Sequence, residues 1–117
     1  MILLIEDDAI SRTDFVVTLC RCGYAVLEAE DGFEALSLIA KHRTAIELVI
    51  SDMVLPGMNG FTLVQNIELL LPKVPIIMIS GYISKANGEV ILGHDVAFLE
   101  KPIRPSALLA AVQRHAP

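Results

Sequence analysis

Basic residues are too few in this chain for direct binding of nucleic acid. Nine Lys and Arg stand against 14 Asp and Glu, a formal net charge of −5, and no basic patch is present to neutralise phosphates. Long apolar runs are missing too. Hydrophobic residues make up 54% of the chain, yet no uninterrupted stretch approaches the ~18 residues of a membrane span. No insertion into a membrane is therefore expected. A Gly-rich turn is absent after the first apolar run, residues 1–5. That run leads instead into Glu6-Asp7-Asp8, acids that would repel a pyrophosphate, which disfavours a dinucleotide site. No basic segment precedes it, so no secretory leader is expected. Cysteine is limited to Cys20 and Cys22. Two apart on a helix, they face different directions. Buried or half-buried thiols are expected rather than a disulfide or metal pair, which suits a reducing cytoplasm. No internal repeat, low-complexity segment or linker divides the 117 residues. One domain with a full core is expected.

What the chain does contain is a β-α alternation. Five short apolar runs, residues 1–5, 24–29, 48–51, 74–79 and 96–99, read as strands. Helical spacing fills the gaps between them. Residues 9–22 place Phe15, Leu19 and Cys22 on one stripe, with Gly23 as a stop. A second helix follows Asp31-Gly32 and runs to His42, with Ala35, Leu36 and Ile39 inward. A third spans 60–71, with Phe61, Val64, Ile67, Glu68 and Leu69 in a helical pattern, and Pro72 and Pro75 close it. Residues 83–94 are interrupted by Gly88 and Gly93 and predict only a short or poorly ordered helix. The last helix, 106–115, follows Pro105 and turns Leu108, Leu109 and Val112 toward the core. Strands this short and apolar, separated by helices, predict a doubly wound parallel α/β sheet of order 2-1-3-4-5 with helices on both faces.

The strands end in polar groups: Glu6 and Asp7 after the first, Asp52 after the third, Ser80 after the fourth, Lys101 after the fifth. In that strand order, the first and third strands are neighbours at the switch point, where such sheets bind ligands. Glu6, Asp7 and Asp52 then crowd together and repel. A hard divalent cation, Mg²⁺ or Mn²⁺, relieves this. Asp7 and Asp52 are the expected direct ligands, Glu6 acts through water, and a backbone carbonyl at Val54 adds an oxygen. Such a metal with open positions suits a phosphate. Lys101 and Ser80 can contact phosphoryl oxygens, and the Asp52 carboxylate can itself form an aspartyl phosphate.

Taken together, Glu6-Asp7, the run from Asp52 to Gly60, Ser80-Gly81 and Lys101-Pro102 resemble the receiver domain of two-component response regulators, over essentially the whole chain. The resemblance implies the flavodoxin-like fold and one receiver domain, residues 1–117. It implies Mg²⁺-dependent transfer of a phosphoryl group to Asp52 from a phosphohistidine on a sensor histidine kinase or a phosphotransfer protein. Ser80, Gly81 and Lys101 would bind the phosphoryl group. It further implies a switch, in which Ser80 moves toward that group, Phe98 rotates inward, and the face of the fourth helix, fifth strand and fifth helix is remodelled. Val54 and Tyr82 occupy positions that set the rate of dephosphorylation in the family, and their side chains predict slow loss. The protein would be a cytoplasmic phosphoacceptor rather than an enzyme, a monomer or weak dimer acting on an output partner the sequence does not name. Two other readings compete. A phosphatase of the haloacid dehalogenase class wants a second Asp two residues after the nucleophile, where this chain has Val54. A phosphorylation-independent interaction module would keep the fold without the chemistry.

Overall fold

The computed structural model describes residues 1–81 and 96–115. Its central sheet is built from β1 (Ile2–Ile5), β2 (Val26–Ala29), β3 (Leu48–Asp52), β6 (Ile76–Ser80) and β7 (Val96–Glu100). All pairings are parallel and the order is β2-β1-β3-β6-β7. Numbered by sheet strand, this is the expected 2-1-3-4-5. Between β3 and β6 the chain also forms a small antiparallel pair, β4 (Val54–Leu55) and β5 (Met58–Asn59), which the five apolar runs do not predict. The Pro56-Gly57 turn explains it. Gly57 sits at φ +75°, where a type II turn with Pro before it needs glycine.

Period-two alternation sorts the strand side chains into two cores. Leu3, Ile5, Val49, Ile76 and Met78 pack on one face beneath α2 (Gly32–His42) and α3 (Gly60–Leu70), which contribute Ala35, Ile39, Leu63, Val64 and Ile67. Ile2, Leu4, Leu48, Ile50, Ile77 and Ile79 pack on the other beneath α1 (Ala9–Arg21) and α4 (Pro105–His115), which contribute Leu19, Leu108 and Val112. Each fully buried Ile or Leu adds about 2 kcal/mol, so the two-faced sheet is what holds the fold. The central strands β1, β3 and β6 are buried throughout. At their carboxyl ends the buried residues turn polar, with Ser51 and Asp52 on β3, Ser80 on β6 and Glu6 just past β1.

The helices start where side chains satisfy free backbone N–H groups. Asp8 caps α1 by accepting from the Ser11 amide at 2.9 Å, Asp31 caps α2 from Glu34 at 2.7 Å, and Asn59 caps α3 from Phe61 at 2.8 Å. Two details differ from the sequence reading. Cys20 and Cys22 are both exposed. Cys22 is the residue capping the C-terminus of α1, and Gly23 at φ +89° turns the chain away just beyond it, so Cys22 leaves the stripe that buries Leu19. On α3, Leu69 is 81% exposed, and Leu63, one turn before Ile67, takes the inward place. The expectation of a short helix in 83–94 lies outside the described residues.

Candidate functional site

Parallel pairing brings all the strand carboxyl ends to one edge of the sheet, and the site forms there. β1 and β3 are direct neighbours, with Ile5 in register with Ser51. The next residues along, Glu6-Asp7 and Asp52, therefore meet. One carboxylate oxygen from each of Glu6, Asp7 and Asp52 lies within 4.8 Å of the others. Glu6 and Asp52 are buried, at 2% and 3% exposure, while Asp7 is exposed.

Asp52 is held on both oxygens. Its Oδ1 accepts from the Val54 amide at 3.0 Å, and its Oδ2 accepts from Lys101 Nζ at 2.7 Å. The second contact spans 49 residues of sequence. It exists because the Lys101 amide donates to the Ser80 carbonyl at 2.7 Å, which carries the β6–β7 pairing one residue past the strand end. The Lys101-Pro102 peptide is cis. Met53, following Asp52, is tied to β6 through its amide and the Ile79 carbonyl at 2.9 Å.

The electrostatics follow from the crowding. Burial, then a hydrogen bond with the Asp52 carboxylate and its charge, pushes the Glu6 carboxyl up to about 8. Asp7 adds to this and Lys101 opposes it. At Lys101, partial burial works against the charged amine. The hydrogen bond to Asp52 and the charges of Asp52, Glu6 and Asp7 outweigh it and hold the ammonium above its ordinary value. Asp8, whose carboxylate accepts from the Ser11 amide, is held below the usual carboxylate range and belongs to the helix cap rather than to the acid cluster. Among the described residues, three acids and one lysine leave the site short of positive charge. That donor set, all hard oxygens with one buried acid driven to keep its proton, fits a small divalent cation.

The remaining candidates divide. Ser80 is buried at 5% exposure as the last residue of β6, and Gly81 beside it is exposed. Among the described residues, no atom lies within 4 Å of where a Cβ on Gly81 would stand. Val54 projects from the mouth of the site, 76% exposed. Phe98 is half-buried on β7, in register with Met78, and packs against the core cluster that includes Met78. Tyr82 lies outside the described residues. One residue escaped the sequence reading. Arg12, one turn into α1, reaches back to the β1 exit, where its Nη1 donates to the Glu6 carbonyl at 2.8 Å and its Nε pairs with Glu28 on β2 at 3.4 Å. A basic residue four positions after the acid that caps a helix was the available signal.

Comparison with known proteins agrees with this arrangement. The family model described as the response regulator receiver domain matches residues 2–113. The sensor kinase CckA of Brucella abortus is 33% identical over 113 residues, covering 96% of this chain and 12% of that protein. The chain spans 12%, 24% and 28% of the length of three such curated relatives. Among solved structures, the chemotaxis protein CheY4 of Vibrio cholerae superposes with a TM-score of 0.88 at 30% identity, over 97% of this chain and 96% of that one. A response regulator from Burkholderia pseudomallei, solved with a phosphorylated aspartic acid, a calcium ion and citrate, gives 0.83 at 31% identity, over 96% of this chain and 65% of that one.

Proposed function

Because the chain belongs to the response regulator receiver domain family of two-component signalling, we propose that Asp52 accepts a phosphoryl group from a phosphohistidine on a sensor histidine kinase or a histidine phosphotransfer protein. An Asp52 carboxylate oxygen attacks the phosphorus as the P–N bond to the histidine breaks. The imidazole leaves with the electron pair and takes up a proton. The observation that carries this reading is the Lys101 Nζ–Asp52 Oδ2 contact of 2.7 Å, with two further carboxylates within 4.8 Å of Asp52. A turn-capping aspartate needs neither.

Mg²⁺, or Mn²⁺, would be held by Asp7, Asp52 and the Val54 backbone carbonyl, with Glu6 through water, and supplies charge neutralisation for the incoming phosphoryl oxygens. The Burkholderia relative, with its phosphorylated aspartate and calcium ion, supports the same pairing of acid and hard cation. Lys101 holds Asp52 Oδ2 before transfer and moves with the new negative charge onto a phosphoryl oxygen afterwards. The Ser80 hydroxyl donates to a second oxygen, and Gly81, with no side chain, lets the group approach the backbone. Phosphorylation adds charge at one edge of the sheet, and Ser80 and Phe98 respond. The face of the expected fourth helix, the fifth sheet strand β7 and the last helix α4 would then be the surface an output partner reads. The chain is a phosphoacceptor that assists its own modification, and Val54 leaves no acid to serve as a phosphatase's second aspartate. Its exposed thiols suit a reducing cytoplasm.

The test is intact mass after incubation with a small-molecule phosphodonor, with and without Mg²⁺, on wild type and Asp52→Asn. A gain of one phosphoryl group that requires Mg²⁺ and disappears in Asp52→Asn is expected. Folded wild-type protein that gains nothing, either from the donor or from a phosphorylated histidine protein, would refute the reading.

A further inference from the structure

The acid loop between β1 and α1 is braced by a residue that takes no part in the chemistry described above. Arg12 is 19% exposed at its side chain, and its guanidinium makes two contacts: Nη1 to the Glu6 carbonyl at 2.8 Å and Nε to Glu28 Oε1 at 3.4 Å. Its own amide donates to the Asp8 carbonyl at 2.9 Å. The Glu6 amide meanwhile donates to Ala29 on β2 at 3.0 Å. Glu28 and Ala29 are adjacent, so the Glu6 backbone is tied at both its N–H and its carbonyl to one short piece of β2, directly through Ala29 and indirectly through Arg12 and Glu28.

The carbonyl that Arg12 grips belongs to the peptide joining Glu6 to Asp7. The orientation of that carbonyl sets ψ of Glu6, and ψ of Glu6 sets the direction in which the chain carries Asp7 away from β1. With the Glu6 amide held to Ala29, fixing the carbonyl fixes where Asp7 stands relative to Glu6 and Asp52. A guanidinium suits this task because its donors are held in a rigid fork, whereas a lysine offers one point charge on a flexible stem.

We infer that Arg12, anchored by Glu28, is a positioning residue that orients Glu6 and Asp7 toward a divalent cation. This rests on the function proposed above. Charge alone predicts the opposite effect of removing it. Arg12 is a cation near an acidic cluster, and deleting a cation should tighten the binding of another. Positioning predicts weaker binding, because partners that orient metal ligands are commonly worth about tenfold or more in affinity. The sign of the change therefore separates the two.

The experiment measures Mn²⁺ affinity on the full chain, by the electron paramagnetic resonance signal of free Mn²⁺, for wild type, Arg12→Met, Arg12→Lys and Glu28→Gln, well below each protein's unfolding temperature. Arg12→Met is expected to bind about tenfold more weakly. Arg12→Lys, which restores the charge without the fork, should recover only part of that. Glu28→Gln, which leaves the Glu6 carbonyl contact in place, should weaken binding by about twofold. A merely structural role would lower the melting temperature and leave the affinity of the folded protein unmoved. Arg12→Met that binds Mn²⁺ as tightly as wild type, or more tightly, overturns the inference and leaves the phosphoacceptor reading standing. If Arg12→Met does not fold, Arg12→Lys and Glu28→Gln decide, and unchanged or tighter binding in both overturns it. Wild type without saturable Mn²⁺ binding overturns both.

Discussion

A single methyl group at Gly60 should disturb the site more than many larger changes elsewhere. Gly60 is the first residue of α3, and a Cβ built on it would lie 2.4 Å from the Met53 carbonyl oxygen and 3.1 Å from the Met53 carbonyl carbon and Cα. Those are backbone atoms. Met53 follows Asp52 and is pinned to β6 by the 2.9 Å hydrogen bond that its N–H donates to the Ile79 carbonyl, so it cannot retreat alone. Relief requires moving either the start of α3 or the segment carrying Asp52 and Val54. Gly32, the first residue of α2, supplies the control. A Cβ there would meet Met58 Sδ at 2.7 Å, which is also too close, but the sulfur sits on a flexible side chain that can turn aside. Both substitutions carry the same modest gain in helix propensity, so the difference between them isolates the stiffness of the neighbour. Forcing atoms into a packed backbone costs about 2–3 kcal/mol. For a domain of this size that lowers the melting temperature by roughly 10 °C. Gly32→Ala should stay within about 2 °C of wild type on the same scale. Circular dichroism melts would read the first effect, and Mn²⁺ titration would read the second, a loss of affinity in Gly60→Ala alone. Two alanine variants equal in both measurements would refute the claim that α3 and the acceptor loop are in rigid backbone contact.

Two further outcomes are expected. Without metal, the folded chain keeps a proton on Glu6 up to about 8, whereas the unfolded chain loses it near the ordinary value of 4.5. Between those pH values the folded state binds more protons, so stability falls as pH rises through the window, by at most about 1.4 kcal/mol per pH unit. Urea midpoints at intervals from pH 5 to 8.5 would show the decline, and saturating Mg²⁺ should flatten it; a metal-free midpoint that is constant or rises with pH would contradict the burial and crowding of Glu6. The second concerns Val54, which stands 76% exposed at the site mouth and cannot position water. Val54→Asn should shorten the lifetime of phosphorylated Asp52, followed by loss of the phosphoprotein mass over time, and an unchanged lifetime would mean that another group controls access.

The sequence by itself determined the sheet and the identity of its polar ends. The unbroken apolar character of Ile2–Ile5 and of Ile76–Ile79 is a local property, and it forces strands covered on both faces. Asp8, Asp31 and Asn59 mark helix starts for equally local reasons. The short β4–β5 pair was harder to see, because two-residue strands leave too few side chains for any periodicity. The thiols were misread for a related reason: spacing placed Cys22 on a stripe, but the helix ends one residue before it. Only the tertiary structure decided which groups touch. Lys101 reaches Asp52 Oδ2 across 49 residues because β3, β6 and β7 lie side by side in a particular register. Glu6 resists ionising because neighbours from other strands exclude water and add negative charge. Arg12 braces the acid pair because α1 starts at the strand exit and β2 carries Glu28 alongside. Periodicity records which side of an element faces inward. Distances between groups at the ends of different elements follow from how those elements are stacked.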